Sequence, residues 1–299
     1  MPSPLSNASF FTFTIHDMIS PDIIIPQLDQ ALNDIASKKP LVLCITNYVT
    51  MNLVANVLLA LGAAPIISCD AREFEELIKI SSAININIGT LDDSFITRSR
   101  LAIKLAAKYG KCVSFDPVGS GASAIRTTIS KELSQSADIV RGNASEIMSL
   151  ATNNIKTLGV ESLHNTADAE IMASSIARDH NCTIVVSGQK DFVVHKDKTT
   201  TMEFGSSIMS KITGMGCALT AVLAAFRTVI NDPFLSASIA TAFFTMCGEQ
   251  VQHSLTLNDA GNAAPGSFLP AFIDTVYNRD IKRFESIYHD KFANRIRNN

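Results

Sequence analysis

The sequence lacks an excess of positive charge, and this limits its possible partners. It contains 25 Lys and Arg residues against 28 Asp and Glu residues, so its formal net charge is −3 at pH 7. Proteins that bind nucleic acids or anionic membranes usually carry a basic field that attracts phosphate groups. We therefore expect neither a nucleic acid nor a membrane surface among the partners.

Long hydrophobic runs and a charged leader are missing as well. The longest apolar stretch, 54–67, is interrupted by Asn56 and Gly62, and it is shorter than the ~20 residues needed to cross a bilayer. No Lys or Arg precedes Lys38, whereas secretory and mitochondrial leaders require positive residues. We expect a soluble, cytoplasmic protein in which residues 1–37 form an N-terminal extension or a first helix.

The cysteines show no paired spacing. There are six, and no two of them form a C-x-x-C motif, so neither a zinc site nor a disulfide framework is predicted. Most lie in apolar runs, where a thiol packs like a small hydrophobic side chain. Cys217 differs because it follows a glycine-rich segment.

What the sequence does contain is an alternation of short apolar runs and longer segments with helical periodicity. Strands that are apolar on both faces are typical of a parallel sheet covered by helices on each side. Because no linker separates the units, we predict one α/β domain over 38–299. The predicted strands are 41–45, 65–68, 83–88, 112–116, 138–141 and 183–187, followed by a hairpin of 192–195 and 200–204. The predicted helices are 49–61, 93–109, 144–151, 166–179, 216–229, 233–251, 265–277 and 281–294, and 153–165 is predicted to be a loop.

Polar or glycine-rich residues follow nearly every predicted strand. In open parallel sheets, ligands bind outside the carboxyl ends of the strands. This arrangement predicts an enzyme or a small-molecule binding protein.

A glycine-rich segment, Thr213-Gly214-Met215-Gly216-Cys217, immediately precedes an apolar helix. Glycines at a helix start expose backbone N–H groups that bind phosphate or a developing anion, although a tight turn alone explains them equally. The segment fits neither the dinucleotide-binding fingerprint nor the phosphate loop of nucleoside triphosphatases. The helix dipole is expected to lower the pKa of the Cys217 thiol, which is then a base or a polar lining.

Two further segments carry charged side chains at strand ends. Arg141 ends one predicted strand, and its planar cation suits phosphate oxygens. Asn143 and Glu146 follow it, either as a helix cap or as ligands, with Glu146 able to hold Mg²⁺ through water. Asp116 ends another strand before a Gly turn, where it serves a metal, a substrate or only the turn.

Seven motifs occur together in order between residues 39 and 277. They are Ile45-Thr46-Asn47, Asn87-Ile88-Gly89-Thr90, Asp116-Pro117-Val118-Gly119, Arg141-Gly142-Asn143-Ala144-Ser145-Glu146, Ser187-Gly188, Gly214-Met215-Gly216-Cys217 and Pro265-Gly266-Ser267-Phe268. In this combination the sequence resembles the hydroxyethylthiazole kinases of the ribokinase-like superfamily. The resemblance implies a ribokinase-like sandwich with a mainly parallel central sheet.

The implied activity is transfer of the γ-phosphoryl group of ATP to the hydroxyl of 4-methyl-5-(2-hydroxyethyl)thiazole, a step in thiamine biosynthesis and salvage. ATP and Mg²⁺ are the implied cofactors. By the resemblance, nucleotide contacts fall on Arg141, Ser187 and Asn143, with Mg²⁺ near Glu146 and Asp116. Phosphoryl transfer mainly requires positioning and charge stabilisation, which these residue types supply.

The catalytic and substrate positions are also implied by the resemblance. Cys217 stands where most ribokinase-like kinases carry an Asp general base, and the thiazole branch typically has Cys there. Gly214 and Gly216 are the other implied catalytic positions. Substrate contacts fall on Asn47, Ile67 and Gly214. Because the family commonly has Met at the position of Ile67, apolar contact is kept while the preferred alcohol can differ.

The resemblance further implies a homotrimer with active sites between subunits, and the predicted helix 49–61 is a candidate for that interface. Two alternatives remain open. One is a sibling such as a hydroxymethylpyrimidine kinase or a hydrate dehydratase, in which Asp usually replaces the residue at Cys217. The other is a non-catalytic binding protein, against which the joint presence of Arg141 and Glu146 argues.

Overall fold

The computed structural model describes residues 18–151, 166–258 and 264–298, and all structural statements below concern these residues. The predicted loop 153–165 lies outside them, as does the start of the segment 1–37.

Eight strands form one sheet in the order β2-β1-β3-β4-β5-β6-β7-β8. Strands β1 to β6 are parallel, whereas β7 and β8 are antiparallel additions at one edge. The mainly parallel α/β sheet is therefore confirmed. The strands are β1 (Leu41–Ile45), β2 (Ala64–Ile67), β3 (Ala83–Asn87), β4 (Cys112–Asp116), β5 (Ile139–Asn143), β6 (Thr183–Ser187), β7 (Asp191–His195) and β8 (Lys198–Met202).

Eleven α-helices in the described residues cover the two faces of the sheet. None of them is both long and apolar enough to span a bilayer. They are α1 (Pro21–Lys38), α2 (Met51–Leu61), α3 (Phe74–Ile80), α4 (Asp93–Tyr109), α5 (Ala124–Ser134), α6 (Ala144–Leu150), α7 (Thr166–Asp179), α8 (Met215–Arg227), α9 (Pro233–Asn258), α10 (Pro265–Asn278) and α11 (Ile281–Asn298).

The core is divided into two layers by the sheet. Alternate strand residues point to opposite faces, so Val42 packs in one layer and Leu43 in the other. Helices α1, α2 and α8 to α11 cover the first face, and α3 to α7 cover the second. Burial on both faces explains why the strands read as continuous apolar runs.

The hairpin differs from its prediction in the bounds of its second strand. The turn contains only Lys196 and Asp197, because His195 already pairs with Lys198. Lys196 adopts the left-handed conformation, with φ of 55°, as two-residue hairpin turns require. Strand β8 therefore begins two residues earlier than its predicted start.

Candidate active site

The carboxyl ends of the parallel strands face the amino end of α8. Gly214 is the N-cap of α8, with φ of 94°, a left-handed conformation that glycine adopts without steric cost. A Cβ at Gly214 would lie 2.8 Å from Thr50 Cγ2. The glycine therefore lets the start of α8 approach the loop that follows β1.

A chain of buried side chains links three neighbouring strands to α8. Asn47 Nδ2 donates to Asn87 Oδ1 (2.8 Å), and Asn87 Nδ2 donates to Asp116 Oδ2 (2.9 Å). Thr220 Oγ1, on α8, donates to the same Asp116 oxygen (3.0 Å). Asn47 Oδ1 accepts from the backbone N–H of Thr50 (3.0 Å), so Asn47 also fixes the entry to α2.

Asp116 is the carboxylate at the centre of this chain. Burial raises its pKa to about 6, a rise that Arg141 opposes and nearby Glu146 supports. Its Oδ2 lies 3.8 Å from Arg141 Nη1. Its Oδ1 is buried without a hydrogen-bond partner in the part of the chain that the structure describes. The site therefore holds an acceptor atom with free capacity.

Arg141 extends from β5 across the end of the sheet. Its Nη2 donates to Ser187 Oγ at the end of β6, so these two predicted nucleotide contacts lie together. A Cβ at Gly216 would overlap Arg141 Nη1 and would lie 2.6 Å from its Cζ. The guanidinium therefore packs directly against the first turn of α8, and a cation and exposed helix N–H groups face the same space.

Asn143 and Glu146 form a capping box at the start of α6. Asn143 Oδ1 accepts from the Glu146 N–H (2.9 Å), and Glu146 Oε2 accepts from the Asn143 N–H (2.9 Å). Glu146 Oε1 also accepts from the Gly119 N–H (2.9 Å). The carboxylate thus joins the loop after β4 to the loop after β5, in addition to capping the helix.

Cys217 lies on the first turn of α8, and Asn47 Nδ2 lies 3.6 Å from its Sγ. The expectation of a lowered thiol pKa is wrong. Burial raises the pKa of Cys217, and the nearby carboxylate of Asp116 adds to the rise. Removal of the thiol from water is the largest cause of this rise.

Among the described residues, Ile67 is the one predicted site residue that lies apart from this cluster. It is the last residue of the edge strand β2, opposite Cys44 of β1. It is half-buried, packs against the first hydrophobic layer, and lines an open groove beside α4.

Sequence reasoning missed four side chains that shape the site. Asn87 and Thr220 bind Asp116 directly, and Asp191 Oδ1 accepts from the Gly188 N–H (3.1 Å). Arg126 binds the carbonyl oxygens of Ile88 (2.9 Å), Val118 (2.8 Å) and Gly89 (3.0 Å) and so ties two site loops together. Asn87 stands in one of the motifs that carry the family resemblance, although it was not predicted as a site residue, whereas the other three stand in none of those motifs.

Comparison with known proteins gives consistent relatives. The chain is 43% identical over 267 residues to a hydroxyethylthiazole kinase of Chlamydia caviae, covering 89% of this chain and 99% of that protein. It is 38% identical over 260 residues to a hydroxyethylthiazole kinase of Vibrio campbellii, covering 86% and 95% of the two chains.

Solved structures agree. A hydroxyethylthiazole kinase protein from Pyrococcus horikoshii superposes with a TM-score of 0.74 at 33% identity, covering 84% of this chain and 92% of that one. A ribokinase-like superfamily protein from Enterococcus faecalis shares the fold, with a TM-score of 0.54 at 12% identity over 88% and 92% of the two chains. The model of the hydroxyethylthiazole kinase family matches residues 32–281. The chain therefore belongs to the hydroxyethylthiazole kinase family.

Proposed function

We propose that the protein transfers the γ-phosphoryl group of ATP to the hydroxyl of 4-methyl-5-(2-hydroxyethyl)thiazole. Family membership supports this substrate and this reaction. The observation that carries the proposal in this chain is the convergence of Arg141, Asp116 and Cys217 at the amino end of α8. A cation, a carboxylate and exposed helix N–H groups in one place suit phosphoryl transfer.

Arg141 and Ser187 are the proposed contacts to the ATP phosphates. Their mutual hydrogen bond holds the guanidinium at the sheet edge before the nucleotide binds. A planar guanidinium binds phosphate oxygens in pairs. Asn143 is the last residue of β5, the strand that carries Arg141, and it is the N-cap of α6. The helix N–H groups beside Gly216 stabilise the charge that develops on the transferred phosphoryl group.

Asp116 and Glu146 fit a Mg²⁺ site. Asp116 Oδ1 is a buried acceptor without a partner among the described residues, and Mg²⁺ is typically held by one or two carboxylates, water and substrate phosphates. When bound, Mg²⁺ would neutralise charge on the phosphates. Glu146 is already fixed by the N–H groups of Gly119 and Asn143, so it offers a rigid carboxylate with little cost of ordering.

Cys217 is proposed to lie beside the reacting hydroxyl. Because its pKa is raised, the thiol is neutral at physiological pH and is a weak base. The alcohol oxygen forms a bond to the γ-phosphorus, the bond from that phosphorus to the β–γ bridging oxygen breaks, ADP leaves, and the alcohol proton passes to an oxygen of the transferred phosphoryl group or to water. In a loose transition state the alcohol loses its proton late, so a strong base is not required.

Asn47, Ile67 and Gly214 are the proposed substrate contacts, and the site is proposed to be completed by a second copy of the chain in a homotrimer. Tyr48 and Val49 directly follow Asn47, and they are 54% and 69% exposed. Exposed apolar side chains beside a binding residue support burial in an interface. A cytoplasmic location remains a prediction from the sequence.

The test of function is ADP release by the purified protein with Mg·ATP. Hydroxyethylthiazole and hydroxymethylpyrimidine are offered in parallel, because the second alcohol is the substrate of the alternative activity. We expect turnover that depends on the thiazole alone. Turnover with the pyrimidine alone would assign the protein to the alternative, and ATP binding without any turnover would indicate a binding protein.

The test of the trimer is molar mass by light scattering for the wild type and Val49→Asp. We expect a trimer for the wild type and smaller species for the variant, with a raised KM for the thiazole. A wild-type monomer with full activity would contradict the proposal. Ile171→Asp is the matched control, because Ile171 is an exposed apolar residue (55% exposed) on α7, which covers the opposite face of the sheet from α2.

A further inference from the structure

An open groove of about 800 Å³ lies between the end of β2 and α4. Its walls come from 67–73 and from the amino half of α4, including Ser94 and Arg98. This volume is within the range of small-molecule sites, which is about 300–1,000 Å³. Apart from Ile67, none of its residues has been given a role above.

Arg98 is an unusual component of this groove because it is buried without an ionic partner. It is only 8% exposed, although arginine is almost never fully buried unless it is paired. Among the described residues, no carboxylate oxygen lies within 4.0 Å of the Arg98 guanidinium nitrogens, the distance that defines an ion pair. A buried charge of this kind costs free energy unless something compensates it.

The contacts of Arg98 leave one edge of the guanidinium free. Nη1 donates to Ser94 Oγ (2.7 Å), and the guanidinium carbon lies 5.7 Å from the centre of the Phe95 ring. Nε is buried with no hydrogen-bond partner among the described residues. Nε and Nη2 together form the edge with which arginine binds two oxygens of a carboxylate or phosphate.

The carboxylates of the groove are otherwise engaged or exposed. Asp70 accepts from Arg72 Nε (2.9 Å), and Glu73 accepts from Ser68 Oγ. Asp93 is exposed on the first turn of α4. Arg98 is therefore the cation in the groove that is left for an incoming anion.

We infer that this groove is an accessory binding site for a small oxyanion, such as a metabolite carrying a phosphate or carboxylate group, held by the Nε and Nη2 edge of Arg98. The site is separate from the nucleotide contacts at Arg141 and Ser187. The inference does not rest on the proposed kinase activity. The ligand would supply the two acceptors that the protein itself does not provide.

The test is calorimetric titration of the full-length protein with inorganic phosphate at constant ionic strength, with acetate in a parallel arm. Phosphate can also bind at Arg141, so the titration is repeated with Arg141→Ala. We expect saturable binding that persists in Arg141→Ala and is at least about tenfold weaker in Arg98→Lys, which keeps the charge and loses the two-point edge. The arm that binds more tightly identifies the class of oxyanion.

Two variants on the same helix serve as controls. Arg100→Lys changes an exposed arginine that pairs with Glu132, and Ser94→Ala removes only the partner of Nη1. Binding should survive in both. Thermal melting of Arg98→Lys shows whether that variant is folded, and if it is not, Thr97→Glu, which places a negative charge in the groove wall, should weaken binding instead. Binding lost in Arg141→Ala but kept in Arg98→Lys, or no binding at all, would overturn the inference.

Discussion

The guanidinium of Arg141 occupies the space that a side chain at Gly216 would need. A Cβ at Gly216 would overlap Nη1 of Arg141 and would lie 2.6 Å from its Cζ. The guanidinium at the end of β5 therefore packs against the first turn of α8. The close approach of the Arg141 guanidinium explains why the second glycine of the Gly-Met-Gly-Cys motif, Gly216, carries no side chain. A contact with a ligand would be a separate reason.

Gly216→Ala should displace Arg141 from the amino end of α8. We expect the KM for ATP to rise by about tenfold or more, because bound phosphate contacts to a charged donor are each worth about 1.5–3 kcal/mol. Steady-state kinetics over ATP concentration measure this effect. Gly266→Ala is the matched control, since a Cβ there meets nothing within 4 Å. An unchanged KM for ATP in Gly216→Ala would mean that displacement of the Arg141 guanidinium does not weaken ATP binding.

Arg141→Ala should raise the KM for ATP by a similar factor, because the same phosphate contacts are lost. Combined with Gly216→Ala, it should add little, since residues acting through one contact are not additive. The control is Arg100→Ala, an exposed arginine on α4 that pairs with Glu132. Full additivity in the double variant would show that the two residues act separately.

Cys217→Ala should lower kcat by less than about tenfold. The raised pKa of the thiol leaves it neutral, and general base catalysis by a well-matched group contributes about 10²–10⁴-fold. Single-turnover and steady-state rates at saturating thiazole measure the change. A fall of more than about 100-fold in kcat, with the KM for the thiazole unchanged, would instead identify Cys217 as the proton acceptor.

Asp191→Asn should remove a pH dependence of stability. Burial raises the pKa of Asp191 from 3.8 to about 7, despite the N–H of Gly188 and the charge of Arg141. The folded state therefore holds a proton that the unfolded state releases, so this residue makes unfolding easier as pH rises from about 4 to about 7. At about 1.4 kcal/mol per pKa unit, the effect is at most about 4 kcal/mol.

Urea unfolding of the wild type and Asp191→Asn at about pH 5, 6 and 8 tests this sign. The free energy of unfolding of the variant, relative to wild type, should increase with pH. Asparagine keeps an oxygen that can accept from Gly188, so the turn is preserved. Parallel curves for the two proteins would show that Asp191 does not titrate in this range.

The strands and most helices could be predicted because their buried residues form apolar runs or recur with helical periodicity in the sequence. Strands β1, β4 and β6 and helix α4 coincide with their predicted bounds, since apolar runs there end at Gly, Asn or Asp. Helices α3 and α5 were missed. Their apolar residues are spread among charged and hydroxyl side chains, and seven or eleven residues give a weak periodic signal.

The site could be predicted in part. Parallel topology brings strand ends together, so the sequence predicts that Asp116 and Arg141 lie at the same end of the sheet. The pKa of Cys217 could not be predicted, because it depends on burial and on Asp116 rather than on position in the helix. Arg126 was missed because it binds only carbonyl oxygens, which leave no trace in a sequence.

The chain of side chains through Asn87 and Asp116 also bears on how the protein folds. Its hydrogen bonds join residues 40, 29 and 104 positions apart, so the chain forms only after β1, β3 and β4 have paired and α8 has docked. Closing loops of this length costs chain entropy, which is offset only once all the partners are in place. A ligand held at Asp116 would therefore stabilise the whole sheet rather than one loop.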